Sequence, residues 1–226
     1  ISIVAGLVCQ TLFLYERGQL HGRCPVTNVV EILVFVSWSM VLIYLAVGRT
    51  YRLSLMGVFT SPIVFVTCLM ALVFPLDYEA AGVAAGIRGK ADAWVEFHIG
   101  ISLLAYGAFG MSFIAGLMFM IQERQVRRAN LKTLFYNLPP MQNLSSALFR
   151  LLIVGMLLLT AGIGSAHVIT VSGDQHPIWP LYLIWLVYAF LCSVHVFRGL
   201  SPRRLAIGAT AAFLFPLVSL WVIAAH

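Results

Sequence analysis

Long apolar runs alternate with short polar stretches along almost the whole chain. A helix that crosses a membrane needs about 20 mostly apolar residues to cover roughly 30 Å of hydrocarbon. Seven runs meet or approach that length: residues 1–15, 29–47, 53–76, 95–121, 148–171, 178–196 and 205–225. The first is short and opens on Ile rather than Met, which leaves its true start open. It lacks the basic start and small-residue cleavage site of a signal peptide. The pattern predicts an all-α fold, a polytopic transmembrane helix bundle of about seven spans forming a single domain over residues 1–226.

Composition agrees with the pattern. Hydrophobic residues make up 61% of the chain and charged residues 10%, where a soluble domain is about half apolar and a quarter charged. A water-soluble enzyme, a disordered tail and a disulfide-stapled secreted domain are excluded. The net charge of +6 matters less than its placement. Ten of the fourteen basic residues (Arg49, Arg52, Arg124, Arg127, Arg128, Lys132, Arg150, Arg198, Arg203 and Arg204) fall on alternate loops. The opposite loops hold Arg17, Arg23, Arg88 and Lys90, offset by Glu16, Asp77, Glu79, Asp92 and Asp174. The positive-inside rule then predicts a cytoplasmic N-terminus and an extracytoplasmic His226. The partner this implies is the lipid bilayer, not nucleic acid.

Several chemistries are excluded residue by residue. No C-x-x-C or C-x-x-C-H occurs, so a thioredoxin-like pair and covalent haem attachment through that signature both fail. Lys90 and Lys132 lie in loops, so no intramembrane lysine is present for a retinal Schiff base. No internal repeat is evident, which argues against an inverted-repeat transporter. The fourth span is expected to continue into the cytoplasm over residues 122–132, to break at Leu138-Pro139-Pro140, and to restart under a cap from Asn143 or Ser145. Gly100, Gly107, Gly110 and Gly116 on that span predict close helix approach.

The six histidines carry the candidate chemistry. The orientation places His21, His98, His167, His176 and His226 near the outer face and His195 near the inner one. His98 and His176 open the fourth and sixth spans, so they lie at similar depth. Two imidazoles at one depth on facing helices can hold a haem iron from both sides. His176 and His195 are 19 residues apart, about 28 Å along a helix, and cannot serve one iron. Position alone leaves two readings open: a haem or metal site on the outer face, and interfacial histidines bonded to water or backbone. His167 is the competing outer ligand, and His195 is a candidate at the inner face. Glu31 has a structural reading, bonded to Asn28 or Ser37 or snorkelling outward, and a functional one, holding a haem-pocket group; Glu96 is read as an interfacial carboxylate.

Four stretches resemble the CcsA/HemX-type cytochrome c assembly family of integral membrane haem-handling proteins. The first is Cys24-Pro25-Val26-Thr27-Asn28-Val29-Val30-Glu31, leading to Val34-Phe35-Val36-Ser37-Trp38. The second is His98-Ile99 with Leu103-Leu104-Ala105-Tyr106-Gly107, closed by Gln122-Glu123-Arg124. The third is Leu138-Pro139-Pro140 followed by Arg150, Gly155, Leu159-Thr160, Gly162 and Gly164. The fourth is His176 with Trp185-Leu186-Val187-Tyr188 and the turn at Arg203-Arg204. They run in family order over most of the chain. Members that present haem to apocytochrome carry a W-G-x-x-W-x-W-D segment; the matching loop, residues 165–179, has Trp179 as its one tryptophan. The chain therefore resembles the HemX-like branch.

The resemblance implies a multi-pass protein of a bacterial plasma membrane that binds haem b non-covalently, with His98 and His176 as axial ligands. It implies a haem chaperone or assembly component rather than an independent enzyme. Its partners would be other cytochrome c assembly or membrane-complex subunits and an apocytochrome. Phe97, Leu104, Trp179 and Trp185 would line the haem, and Arg17, Arg23, Arg88 or Lys90 would meet its propionates. A cytochrome b-like electron-transfer subunit and a haem-free accessory subunit are the alternatives.

Overall fold

A computed structural model of the chain describes residues 2–22, 24–26, 28–51, 56–73, 93–127, 141–171 and 179–225. Among the described residues the elements are all helical: α1 (Ser2–His21), α2 (Val29–Tyr51), α3 (Met56–Val73), α4 (Ala93–Arg127), α5 (Met141–Val171), α6 (Trp179–Arg198), α7 (Pro202–Ala212) and α8 (Leu214–Ala225). Five of them, α2 to α6, are long and apolar enough to cross a membrane. The protein is a polytopic helical membrane bundle.

The two outermost predicted spans differ from expectation. Helix α1 is longer than the run of residues 1–15 and takes in Glu16, Arg17 and Gln19. With Gln10 these make it too polar to count among the five. The run 205–225 is not one straight span but two short helices that meet at Phe213. Pro216 accounts for the break, because it has no N–H for the carbonyl four residues back and its ring crowds that carbonyl. The backbone bonds on either side persist, from Phe213 N–H to the Ala209 carbonyl at 3.2 Å and from Leu217 N–H to the Phe213 carbonyl at 3.4 Å.

Helix α4 is the axis of the bundle. Its 35 residues reach about 52 Å at 1.5 Å each, more than a bilayer core requires. Its longest contact is with α5, and α2 and α7 flank it; α1 and α3 pack on α2, and α6 lies against α5 and α7. Ala105, Ala108, Phe109, Met111, Ile114, Ala115 and Met118 fill the interior. Phe109 also stacks on Tyr188 of α6 at 3.8 Å, so α4 and α6 meet there directly.

Small residues make these approaches possible. A Cβ at Gly107 would lie 2.5 Å from Ser39 Cβ, and one at Gly116 would lie 2.6 Å from Thr210 Oγ1. Gly100 does not share this role, since nothing lies within 4 Å of a Cβ built there. The restart after the long loop also departs from expectation. Helix α5 already begins at Met141, so Asn143 and Ser145 sit inside its first turns, and the Ser145 hydroxyl donates to the Gln142 carbonyl at 3.0 Å. Lys132 and Leu138-Pro139-Pro140 lie outside the described residues.

Contacts between helix ends define two ends of the bundle. Arg17 meets Glu31, Cys24 meets Glu96, and His98 meets Gly162 at one end. At the other, Arg203 Nε lies 3.4 Å from Glu123 Oε2, joining the end of α4 to the start of α7.

Candidate functional site

His98 is the sixth residue of α4, in its second turn. Its Nδ1 lies 2.8 Å from the carbonyl oxygen of Gly162 and 3.2 Å from Ser165 Oγ, both on α5. A carbonyl only accepts, so Nδ1 carries the proton and the lone pair of the neutral ring resides on Nε2. The Ser165 hydroxyl donates to the same Gly162 carbonyl at 2.7 Å. The two helices come this close because position 162 has no side chain; a Cβ there would stand 2.7 Å from Ser102 Oγ.

That arrangement fits a metal-ligating imidazole. Such rings characteristically donate one N–H to a carbonyl or carboxylate, which fixes the ring and makes the other nitrogen the ligand. The expected second ligand, His176, lies outside the described residues, three positions before Trp179, where α6 begins.

The remaining histidines have separate surroundings. His167 follows Ser165 by two residues but is engaged elsewhere, its Nε2 bonded to the hydroxyl of Tyr182 on α6. The structure therefore ties His98 to the Gly162–Ser165 side of α5 and His167 to α6. His195, near the far end of α6, tilts its ring against Phe149 at 4.6 Å. Its buried Nδ1 has no hydrogen-bond partner among the described residues. His226 and the side chain of His21 lie outside the described set.

The charged residues at the His98 end are more ordered than the sequence implied. Arg17 was expected in a solvated loop or on a propionate. It is instead within α1, 12% exposed, with Nε 2.6 Å from Oε1 of a fully buried Glu31. The N–H of Glu31 donates to Asn28 Oδ1 at 2.8 Å, so the expected bond between the two residues is present and Asn28 caps α2. Ser37 does not reach Glu31; it accepts from Gln10 Nε2 at 2.9 Å, and the same amide also contacts Cys68 Sγ at 3.4 Å. Gln10 thus fastens α1 to α2 and α3.

Glu96 accepts the backbone N–H of Cys24 at 3.3 Å, tying the α1–α2 turn to the first turn of α4. Burial, with Glu96 and then Glu31 nearby, pushes the Cys24 thiol up to about 11. Arg23, Arg88 and Lys90 lie outside the described residues. Of the expected lining, Phe97 is 50% exposed and packs edge-on to Trp94, and Trp179 is 63% exposed. Trp185 donates its indole N–H to Thr160 Oγ1 at 3.0 Å. The opposite charges of Arg17 and Glu31 near the facing ends of consecutive apolar runs were the available signal, which does not by itself pair them. The Gly162–Ser165 pair carried no such signal.

Residues 26–224 match the family described as Cytochrome C assembly protein. The chain belongs to this family. The cytochrome c assembly match begins in the α1–α2 turn, ends in α8, and takes in His98, Gly162, Ser165 and His195. Among similar proteins, Protein HemX of Bacillus subtilis (strain 168) is 24% identical over 229 residues, covering 99% of this chain and 81% of that protein. The cytochrome c biogenesis protein CcsA of Prochlorococcus marinus (strain MIT 9312) is 25% identical over 246 residues, covering 96% of this chain and 78% of its own. CcsA of Synechococcus sp. (strain CC9902) is 24% identical, covering 90% of this chain and 76% of its own. Both names expected from the sequence are represented in this family.

Proposed function

We propose that this cytochrome c assembly protein handles haem, holding a b-type haem near the extracytoplasmic face with His98 and His176 as axial ligands. One observation carries the reading: the Nδ1–H of His98 is committed to the Gly162 carbonyl, which leaves the lone pair on Nε2 in a ring held at one end of the bundle. The family supports it, since a relative that matches 96% of this chain is named for cytochrome c biogenesis.

In this reading His98 and His176 bind and orient the haem, and Arg23, Arg88 and Lys90 are the basic groups for its propionates. Bound haem would be the cargo for cytochrome assembly and the source of any one-electron chemistry. The alternation of basic loops supports a site outside a bacterial plasma membrane, where an apocytochrome and other assembly subunits would reach it. One observation favours a second reading as an electron-transfer subunit: the buried Nδ1 of His195, without a hydrogen-bond partner among the described residues, lies at the opposite end of α6 and would suit a second ligand there.

An absorption spectrum of the purified chain tests the proposal. A reduced b-type band is expected, lost in His98→Ala and in His176→Ala and retained in His226→Ala. A band unchanged in both ligand variants rules out the pairing. Transfer of haem to an added apocytochrome, set against electron cycling alone, separates the two readings.

A further inference from the structure

The carbonyl that fixes His98 belongs to α5, which carries neither His98 nor His176. It also receives a second donor. The Ser165 hydroxyl donates to the Gly162 oxygen at 2.7 Å, while the His98 N–H reaches that oxygen at 2.8 Å and Ser165 Oγ at 3.2 Å. Ser165 is 4% exposed and the His98 contacts are part-buried, so the three groups interact where solvent competes weakly and such bonds influence one another. A serine bonded to its own helix three residues back is common in membrane helices and by itself means little. What sets Ser165 apart is that the carbonyl it bonds, and its own oxygen, both face a histidine of another helix.

We infer that Ser165 is a positioning residue that sets the donor strength of His98 by sharing the Gly162 carbonyl with it. This rests on the reading of His98 as a haem ligand. With the hydroxyl in place, the carbonyl, which within α5 also takes the helical N–H four residues on, is shared with one more donor, and its pull on the His98 proton is moderated. Without it, the carbonyl has one donor fewer and the Nδ1–H bond strengthens. The ring gains imidazolate character, and Nε2 becomes the stronger donor. A stronger nitrogen donor favours ferric over ferrous iron, so the reduction potential falls. Threonine carries the same hydroxyl and restores the sharing.

The test uses the full chain in detergent with nitrogen-15-labelled histidine, first without haem and then loaded with haem b. In the haem-free protein, Ser165→Ala is expected to shift the His98 ring-nitrogen resonances toward a stronger Nδ1–H bond, and Ser165→Thr to return them to the parent values. In the loaded protein, Ser165→Ala is expected to move the haem midpoint potential to a more negative value, with Ser165→Thr again close to the parent. Ser145→Ala is the control, because Ser145 makes the same kind of backbone bond early in α5, to the Gln142 carbonyl; it should move neither readout. Unchanged nitrogen resonances and potential in Ser165→Ala overturn the inference while leaving haem binding intact. If the parent chain takes up no haem, the functional reading fails, and the nitrogen resonances alone decide the role of Ser165.

Discussion

The guanidinium Nε of Arg17 lies 2.6 Å from the carboxylate of Glu31, and the glutamate is wholly buried. The pair joins the end of α1 to the first turn of α2, where Asn28 already caps the helix. Breaking a buried ion pair by removing one partner costs about 3–5 kcal/mol, because the other charge stays out of water. Arg17→Gln is therefore expected to lower the unfolding temperature in detergent markedly, and Arg17→Lys to lower it less. An Arg17→Gln protein as stable as the parent would show that the pair contributes nothing to the hairpin.

Gly162 and Gly164 offer a matched comparison on one helix. A methyl at position 162 would meet Ser102 Oγ at 2.7 Å, whereas nothing lies within 4 Å of one at position 164. Overpacking of this kind typically costs about 1–3 kcal/mol. Gly162→Ala should destabilise the protein and, by moving α5 off α4, disturb the His98 bond. Gly164→Ala should leave thermal stability and the His98 nitrogen resonances as they are. Equal behaviour of the two variants would contradict the close approach.

Gln10 donates to Ser37 of α2 and contacts Cys68 of α3. Hydrogen bonds between membrane helices are worth about 0.6–2 kcal/mol each. Gln10→Leu should cost an amount in that range, read as a lowered unfolding midpoint. Its haem content should match the parent's, because the clamp is separate from the His98 contacts. Loss of haem in this variant would mean that α1 helps build the site.

The Cys24 thiol gives a pH-dependent signature. Burial, then Glu96, then Glu31 raise it from an ordinary value of 9.0 to about 11. The folded protein thus holds this proton more tightly than the unfolded chain does. The stability this contributes is complete below 9.0 and is lost as pH rises toward about 11. Only the thiolate reacts with alkylating agents, so modification of Cys24 should be slow at neutral pH and climb until about 11. Glu96→Gln removes one of the two nearby charges and should move that rise to lower pH. A rate that is already level at neutral pH would contradict the buried setting.

The membrane-crossing helices were legible because hydrocarbon thickness dictates how long an apolar run must be. Runs 29–47, 95–121 and 178–196 lie within α2, α4 and α6 apart from Ile178, and 148–171 lies within α5. Pro216 was visible too, yet the split of the last run at Phe213 emerged only from the backbone. The sequence marked Glu31 as a carboxylate at the end of an apolar run and Arg17 as one of four loop cations without joining them, since neither depth nor spacing says which faces of two helices meet. Position at a helix end drew attention to His98 and His167 alike; only the packing sends one to Gly162 and the other to Tyr182.

The chain alone determined that the protein is a helical membrane bundle, where its main apolar spans lie, and that the family motifs occur in order. These follow from length, hydrophobicity and residue identity, which are local. The tertiary structure decided which nitrogen of His98 bears the proton, which residues share its carbonyl, and which arginine neutralises Glu31. Such outcomes depend on the rotation and closeness of neighbouring helices. Helices that are apolar on nearly every side record little of that rotation in their sequence, and it is settled where Gly107, Gly116 and Gly162 let backbones approach.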